Sequence, residues 1–393
     1  MPLTRPSNSP LFATDATLSG GPQAGLSTRL SPGVGTLAQG FWKGRKLPGR
    51  AFSYIVGTLG DWCSYLDQRT YLLQALNWTE RIAVASTAAN NSPVGMAFAP
   101  SMGGASSPLL CSVDGTRTLL SSDGQNWYSG APIANVSTAA PEVAYGQLDG
   151  VPAFMTNASA TNYYTSVDGS AWTARSPLPA SLVDGVPCYA ESLNRWVAVK
   201  NGVPHYVTGS AVALGFGWTA ATSNAATTSW ASNSGGCKRL VWNGSLFVAL
   251  PINSYNKCLT SPDGITWTER TIATGTWVGL AYSTYDQLWL AVGTGAGVYS
   301  SPDGITWTFV TSAVAVLNDL AVSGPLWVAP TNGGAFGGLA YSLDKGASWQ
   351  YVATGKHVIA TAGWRRIMSF TNRFIVAHVD GSNIEFALSL RAT

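Results

Sequence analysis

Five aspartates share one short spelling. Ser121-Ser122-Asp123-Gly124-Gln125-Asn126-Trp127, Ser166-Val167-Asp168-Gly169-Ser170-Ala171-Trp172, Ser261-Pro262-Asp263-Gly264-Ile265-Thr266-Trp267 and Ser301-Pro302-Asp303-Gly304-Ile305-Thr306-Trp307 all read Ser-x-Asp-Gly-x-x-Trp. A fifth copy, Ser342 to Trp349, places Lys345 between Asp344 and Gly346. A carboxylate recurring at fixed distances from Ser, Gly and Trp is a candidate for metal ligation, for acid–base chemistry or for a turn. Asp-Gly between alternating apolar runs is a hairpin signal, and a short Asp side chain accepts turn amides. The spelling is therefore structural, with catalysis and metal binding as the lesser alternatives.

The other reactive side chains form no chemical motif. His205, His357 and His378 stand in no His-x-x-x-His or Glu-x-x-His arrangement, and His378 falls in the alternating run Phe374-Ile375-Val376-Ala377-His378-Val379. Cys63, Cys111, Cys188, Cys237 and Cys258 lack metal-ligand spacing, and the plain expectation is buried thiols in a chain made in a reducing cytoplasm. The stretch Gly333-Gly334-Ala335-Phe336-Gly337-Gly338 reads as a long loop rather than a phosphate loop between strand and helix. The few glutamates are Glu80, Glu142, Glu191, Glu269 and Glu385. Glu80 and Glu269 occupy equivalent repeat positions beside Trp78 and Trp267, which suits a scaffold role. A glycosidase needs two facing carboxylates. Asp184, Glu191 and Asp319 are the candidates for a meeting in a central channel, but no motif requires it. No cofactor is expected.

The elements that position these residues follow from the spacing. Trp78, Trp127, Trp172, Trp218, Trp267, Trp307 and Trp349 are separated by 49, 45, 46, 49, 40 and 42 residues, and periods of this length mark propellers and other repeat arrays. Each interval holds the same sequence of short runs, as in Val278 to Tyr282, Leu288 to Val292, Gly297 to Ser301 and a fourth starting near Ile305. Four short strands separated by Gly, Asn, Asp and Ser make one antiparallel blade. After Trp349 only three strand-like runs remain, around Ile359 to Ala362, Arg373 to His378 and Ile384 to Leu390. The segment at Trp78 resembles a fourth strand with no earlier strands of its own, so it completes the last blade and closes the ring, removing free sheet edges. The prediction is an all-β, seven-bladed propeller of four-stranded antiparallel blades over residues 75–393. Six and eight are the neighbouring counts, because the unit between Trp172 and Trp218 is degenerate.

Residues 1–74 are of another kind. Residues 1–40, rich in Pro, Ser, Thr and Gly, read as an extended arm that orders against a partner. From about Arg50 to Ala75, apolar residues including Ile55, Leu59, Trp62 and Leu66 recur at helical steps, giving one amphipathic helix. Charged residues are only 10% of the chain, against about 25% in ordinary domains. The formal charge of +3 is too small and scattered for a nucleic-acid surface, with Lys43-Gly44-Arg45-Lys46 the one local cluster. No apolar run suits a membrane span, and no standard secretory signal is expected.

The repeat resembles the Asp-box, or bacterial neuraminidase repeat, whose spelling Ser-x-Asp-x-Gly-x-x-Trp is met in full at Ser342 to Trp349; the other copies are one residue shorter. That resemblance implies a structural hairpin for Asp123, Asp168, Asp263, Asp303 and Asp344, with Trp127, Trp172, Trp267, Trp307 and Trp349 packed between blades. Gly40-Phe41-Trp42, Leu47-Pro48 and Leu59-Gly60-Asp61-Trp62-Cys63-Ser64-Tyr65-Leu66 resemble the start of tailed-bacteriophage tail-fibre and appendage proteins, departing from the common pattern at Arg50-Ala51-Phe52. This second resemblance implies a virion protein assembled in the host cytoplasm. Its Phe41, Trp42, Ile55, Leu59, Trp62 and Leu66 would attach it to other virion subunits, as a homo-oligomer with a trimer favoured. If it also binds the host, a host-surface glycan would be its ligand, with the loop aromatics Tyr255, Tyr285, Phe216 and Phe336 as candidate stacking residues and packing as the bland role for each. A purely structural decoration of the particle is the first alternative. The second is a sialidase-like glycosidase, for which Arg81-Ile82-Ala83 lacks the proline of the Arg-Ile-Pro segment typical of sialidases.

Overall fold

The computed structural model describes Trp78, residues 82–85 and, with short gaps, residues 95–389, all within the compact unit Ala75–Arg391. The expected arm and helix, with Phe41, Trp42, Ile55, Leu59, Trp62 and Leu66, lie outside the described residues, as do Phe216 and Phe336.

Seven four-stranded antiparallel sheets form a closed seven-bladed propeller. The first strands of blades 1 to 7 are Gly95–Ala99, Val143–Leu148, Val186–Ala190, Cys237–Trp242, Thr276–Ser283, Ala321–Ser323 and Arg366–Phe370. Each lies beside the first strands of both neighbouring blades, and blade 7 returns to blade 1. Closure is by the expected route: Ile82–Ala85 pairs antiparallel with Asn383–Leu388 as the fourth strand of blade 7, and Trp78 bridges to Ser389.

Strand boundaries differ from the sequence expectation in several places. The fourth strand of blade 5 is Thr308–Thr311, starting after Trp307 rather than near Ile305, because the turn residues Ile305 and Thr306 give their amides to Asp303 instead of to a neighbouring strand. The first strand of blade 7 is Arg366–Phe370, and the run Ile359 to Ala362 lies outside the described residues. The last strand ends at Leu388. The degenerate unit is a true blade 3 in which helix α1, Gly209–Ala213, replaces the Asp-Gly turn before the short strand Thr219–Ala220. Helix α2, Ala225–Asn233, precedes blade 4 and was not expected. The Asn224 side chain accepts from the Thr227 amide, while the Thr227 hydroxyl accepts from the Asn224 amide, a reciprocal cap.

The recurring aspartates build the turns between third and fourth strands. In blade 4, Ser261 Oγ donates to Asp263 Oδ1 at 3.0 Å and accepts from the Gly264 amide at 2.7 Å. The Ile265 and Thr266 amides donate to the same carboxylate oxygen at 2.8 and 2.9 Å, and Trp267 Nε1 donates to the Gly264 carbonyl at 3.1 Å. Blades 1, 2 and 5 repeat the Ser-to-Asp bond and the pair of amide contacts, while blade 6 keeps the Ser-to-Asp bond, takes up its extra residue with Lys345 at φ 59° and gives Asp344 the amide and hydroxyl of Ser348 instead.

Gly264 at φ +74° does two jobs. It takes a left-handed conformation, and a Cβ there would stand 2.5 Å from Val197 of blade 3. Gly169, Gly304, Gly346 and Gly124 lie in the same way against the blade before their own, Gly124 against Leu388 of blade 7. The anchor tryptophans complete these seams: Trp267 is buried with Val197 and Phe247, and Trp127 stacks on Phe386 at 4.0 Å. Each such ring removes about 150–250 Å² from water, a gross gain of about 4–6 kcal/mol.

Two measurements follow from the turns. Gly264→Ala should lower stability in urea unfolding by about 2–4 kcal/mol. Gly244→Ala, at φ +102° but with nothing within 4 Å, should lose only the smaller backbone cost. Burial opposes ionisation of Asp123, yet the Asn126 amide and side chain, the Gln125 amide and the Ser121 hydroxyl outweigh it and hold the carboxyl at about 2. Asp168, Asp263, Asp303 and Asp344 are lowered on the same pattern. Depressed carboxylates contribute stability above their unfolded pKa of about 3.9 and lose it as pH falls through the folded value. The urea midpoint should thus drop between about pH 4 and pH 2, and Asp303→Ala should lower the neutral-pH midpoint and flatten that acid slope.

Candidate functional site at the channel mouth

Strand register brings an aromatic ring to the same place in five blades. Phe98, Tyr145, Tyr189, Trp242 and Tyr282 lie near the ends of their first strands, paired across to Leu110, Phe154, Trp196, Phe247 and Trp289 on the second strands. In blades 6 and 7 the equivalent pairs are Val322 with Trp327 and Ser369 with Phe374. The second-strand partners are fully buried, while the first-strand residues are all half-buried. Ring centroids lie 6.1 Å apart for Tyr145 and Phe154, 4.9 Å for Tyr189 and Trp196, 4.4 Å for Trp242 and Phe247, and 5.0 Å for Tyr282 and Trp289. Phe98 instead packs on Phe370 of blade 7 at 5.4 Å. A rigid buried ring thus backs each exposed one, which fixes its orientation before any ligand arrives.

Two cavities open at this mouth. One, of about 650 Å³, is lined by Tyr145, Gln147, Tyr189, Glu191, Ser192 and Trp242 among others from blades 1 to 4. The second, of about 400 Å³, is lined by residues of blades 1, 5, 6 and 7, including Phe98, Tyr282, Tyr285 and Phe370. Gly146 in the wall of the first lets the rings of blade 3 pack against blade 2, since a Cβ there would fall 2.5 Å from the Tyr189 ring and 2.6 Å from Trp196. The tyrosine hydroxyls are held in register too. Tyr189 donates to Asn194 Oδ1 and Tyr282 to Gln287 Oε1, both at 3.0 Å, and both acceptors sit in turns at positive φ.

Of the expected stacking residues, Tyr285 belongs to this mouth, 67% exposed on the first hairpin turn of blade 5. Tyr255 does not. It lies between the second and third strands of blade 4, at the opposite end, where its hydroxyl donates to Glu269 and contacts Ser229 Oγ at 2.6 Å. Glu269 is thereby engaged within the scaffold. The four mouth aromatics Tyr145, Tyr189, Trp242 and Tyr282 escaped the sequence reading because they look like ordinary strand residues. Their shared signal is position, which strand pairing reveals: each stands five to nine residues before the second-strand aromatic it pairs with.

The other end of the channel is polar. Arg239 of blade 4 places Nη2 2.9 Å and Nε 3.1 Å from Asp319 Oδ1, and Nη1 3.7 Å from Glu142 Oε1. Arg366 of blade 7 pairs with the same Glu142 oxygen and stands 3.9 Å from Asp319 Oδ2, which also accepts from the Ile367 amide at 3.3 Å. No side chain of the four is more than 16% exposed. Burial pushes the Asp319 carboxyl above its usual range against the pull of Arg239, and brings Arg366 down to about 10. Asp319 thus meets Glu142 in the channel, whereas Glu191 sits at the aromatic end and Asp184 lies outside the described residues. Among the described residues no group of three His, Cys, Asp or Glu side chains converges to hold a metal. Cys111, Cys237 and Cys258 are buried free thiols, and burial raises Cys237 and Cys258 to about 12.

The comparisons with known proteins bear on the fold. No protein-family model and no curated protein sequence matches the chain. Among solved structures it is similar to YCF48 from Cyanidioschyzon merolae, with a TM-score of 0.56 and 17% identity over 78% of this chain and 98% of that one. A catalytically inactive virginiamycin B lyase from Staphylococcus aureus, solved with quinupristin, gives a TM-score of 0.53 and 10% identity over 79% and 99%. Raptor from Chaetomium thermophilum gives 0.55 and 10% over 88% of this chain and 33% of its own. At these identities the likeness concerns architecture alone: the chain is a seven-bladed β-propeller.

Removing one partner of the buried cluster leaves a stranded charge. Arg239→Ala should therefore lower stability by about 3–5 kcal/mol. The pair Arg239→Met with Asp319→Leu, which leaves Arg366 facing Glu142, should recover most of that loss in the same unfolding assay.

Proposed function

We propose that this chain is a structural virion protein of a tailed phage, a tail-fibre or appendage component whose propeller takes a host-surface glycan at its aromatic mouth. The observation that carries the glycan part is the set of five register-equivalent aromatic rings around one end of the channel, each half-buried, with two cavities between them. Sugar rings present apolar C–H faces and neutral hydroxyls. Preorganised aromatic faces with Gln147, Ser192 and Thr284 nearby offer stacking and hydrogen bonds to match. The virion part is supported by the resemblance of residues 40–66 to phage appendage proteins and by the Asp-box-like turns.

A glycosidase is the less favoured reading. Glu142 and Asp319, the two carboxylates described at the polar end of the channel, are each engaged by Arg239 and Arg366, so neither is poised to move a proton to a substrate. Pure decoration of the particle would leave the half-exposed rings without a use.

Trp242→Ala and Tyr285→Ala should each weaken binding of the full chain to host polysaccharide at least tenfold, about 1.4 kcal/mol, with the unfolding midpoint checked in parallel. Unchanged binding would remove the mouth from the reading, and release of reducing sugar would replace it with hydrolysis. Particles assembled with a chain lacking residues 1–74 should carry no propeller; retention would refute the attachment role of that segment.

A further inference from the structure

The larger cavity differs from the smaller one in charge. Glu191 is the only charged side chain among the described residues that line it, and it is exposed on the single 3-10 turn Glu191–Leu193 between the first two strands of blade 3. Its carboxylate makes no ion pair among the described residues. Around it stand Tyr145, Tyr189 and Trp242, three half-buried rings from three successive blades. The carboxylate is electrically coupled to two of these: burial first, and the negative charge of Glu191 with it, raise the phenols of Tyr145 and Tyr189. The smaller cavity has aromatic walls but no charged residue among its described lining.

Aromatic faces carry negative electrostatic potential and attract a cation placed over them, an effect that strengthens with desolvation. A carboxylate at the edge of such a wall adds direct charge pairing. We propose that the cavity over blades 2 to 4 is a subsite for a sugar bearing a free ammonium group, with Glu191 paired to the ammonium and Tyr145, Tyr189 and Trp242 enclosing it. This rests on the glycan reading above and adds to it the charge of the unit recognised. The neutral cavity then takes the uncharged remainder of the chain.

The test is calorimetric titration of the full-length protein with glucosamine oligosaccharides and with the same oligosaccharides N-acetylated, near pH 6 where the amine is protonated. The expected result is about tenfold tighter binding of the amine-bearing form, a preference that shrinks with added salt and disappears in E191Q. E191Q should unfold at the wild-type midpoint, since the exposed carboxylate supports no described ion pair. Equal binding of the two forms, or a preference that survives in E191Q, would overturn the proposal. Failure of both oligosaccharides alongside binding of host polysaccharide would overturn this subsite and leave the glycan reading standing. Failure of every saccharide would overturn both.

Discussion

The close approach of each Asp-Gly turn to the preceding blade is the constraint on which the propeller depends. Blades are thin sheets that cannot bury both faces alone, so the ring holds only if neighbouring blades meet at packing distance. At Gly264, Gly169 and Gly304 the turn backbone comes within about a methyl group of the preceding blade's leucine and valine side chains. The aspartate makes that possible from inside the turn. By accepting two amides and a serine hydroxyl it satisfies polar groups that would otherwise need water at the seam. The tryptophan that follows then covers the junction.

Repetition of this unit produces the mouth as a by-product of register. The serine that opens the turn pairs across to Leu110, Phe154, Phe247, Trp289 or Trp327 on the second strand. The first-strand residue paired to that same position lies at the end of the channel. A rule that sets the core therefore also sets a circle of residues at one end, and five of the seven are aromatic. The symmetry is then broken by the turns, with Glu191 in blade 3, Tyr285 in blade 5 and serines in blades 6 and 7. Scaffold and site are consequently coupled, because the buried ring that stabilises a blade also orients the exposed ring beside it.

The two ends of the channel solve different problems. At the aromatic end, half-exposed rings face cavities. At the other, four charges from blades 2, 4, 6 and 7 meet out of water, a cluster whose Coulomb attraction is offset by desolvation. Its physical effect is to link blades that are not neighbours, which sheet pairing cannot do.

The repeat, a blade count of seven to within one, and the closing strand were legible in the sequence. Asp-Gly chemistry and tryptophan spacing are local, and the likeness of the Trp78 segment to the other fourth strands marked it for the pairing it makes with the last blade. Blade 3 was legible only as an irregularity, since α1 replaces the turn that marks the others, and α2 was missed because its apolar residues show no strong face. The sites were different. Tyr145, Tyr189, Trp242 and Tyr282 are separated by 40 to 53 residues in sequence, and Glu142, Arg239, Asp319 and Arg366 are scattered over four blades. The spacing of the rings from the second-strand aromatics varies with hairpin length and so marks neither set in the sequence, because what unites each is an angle around a common axis, and that axis exists only once the ring has closed.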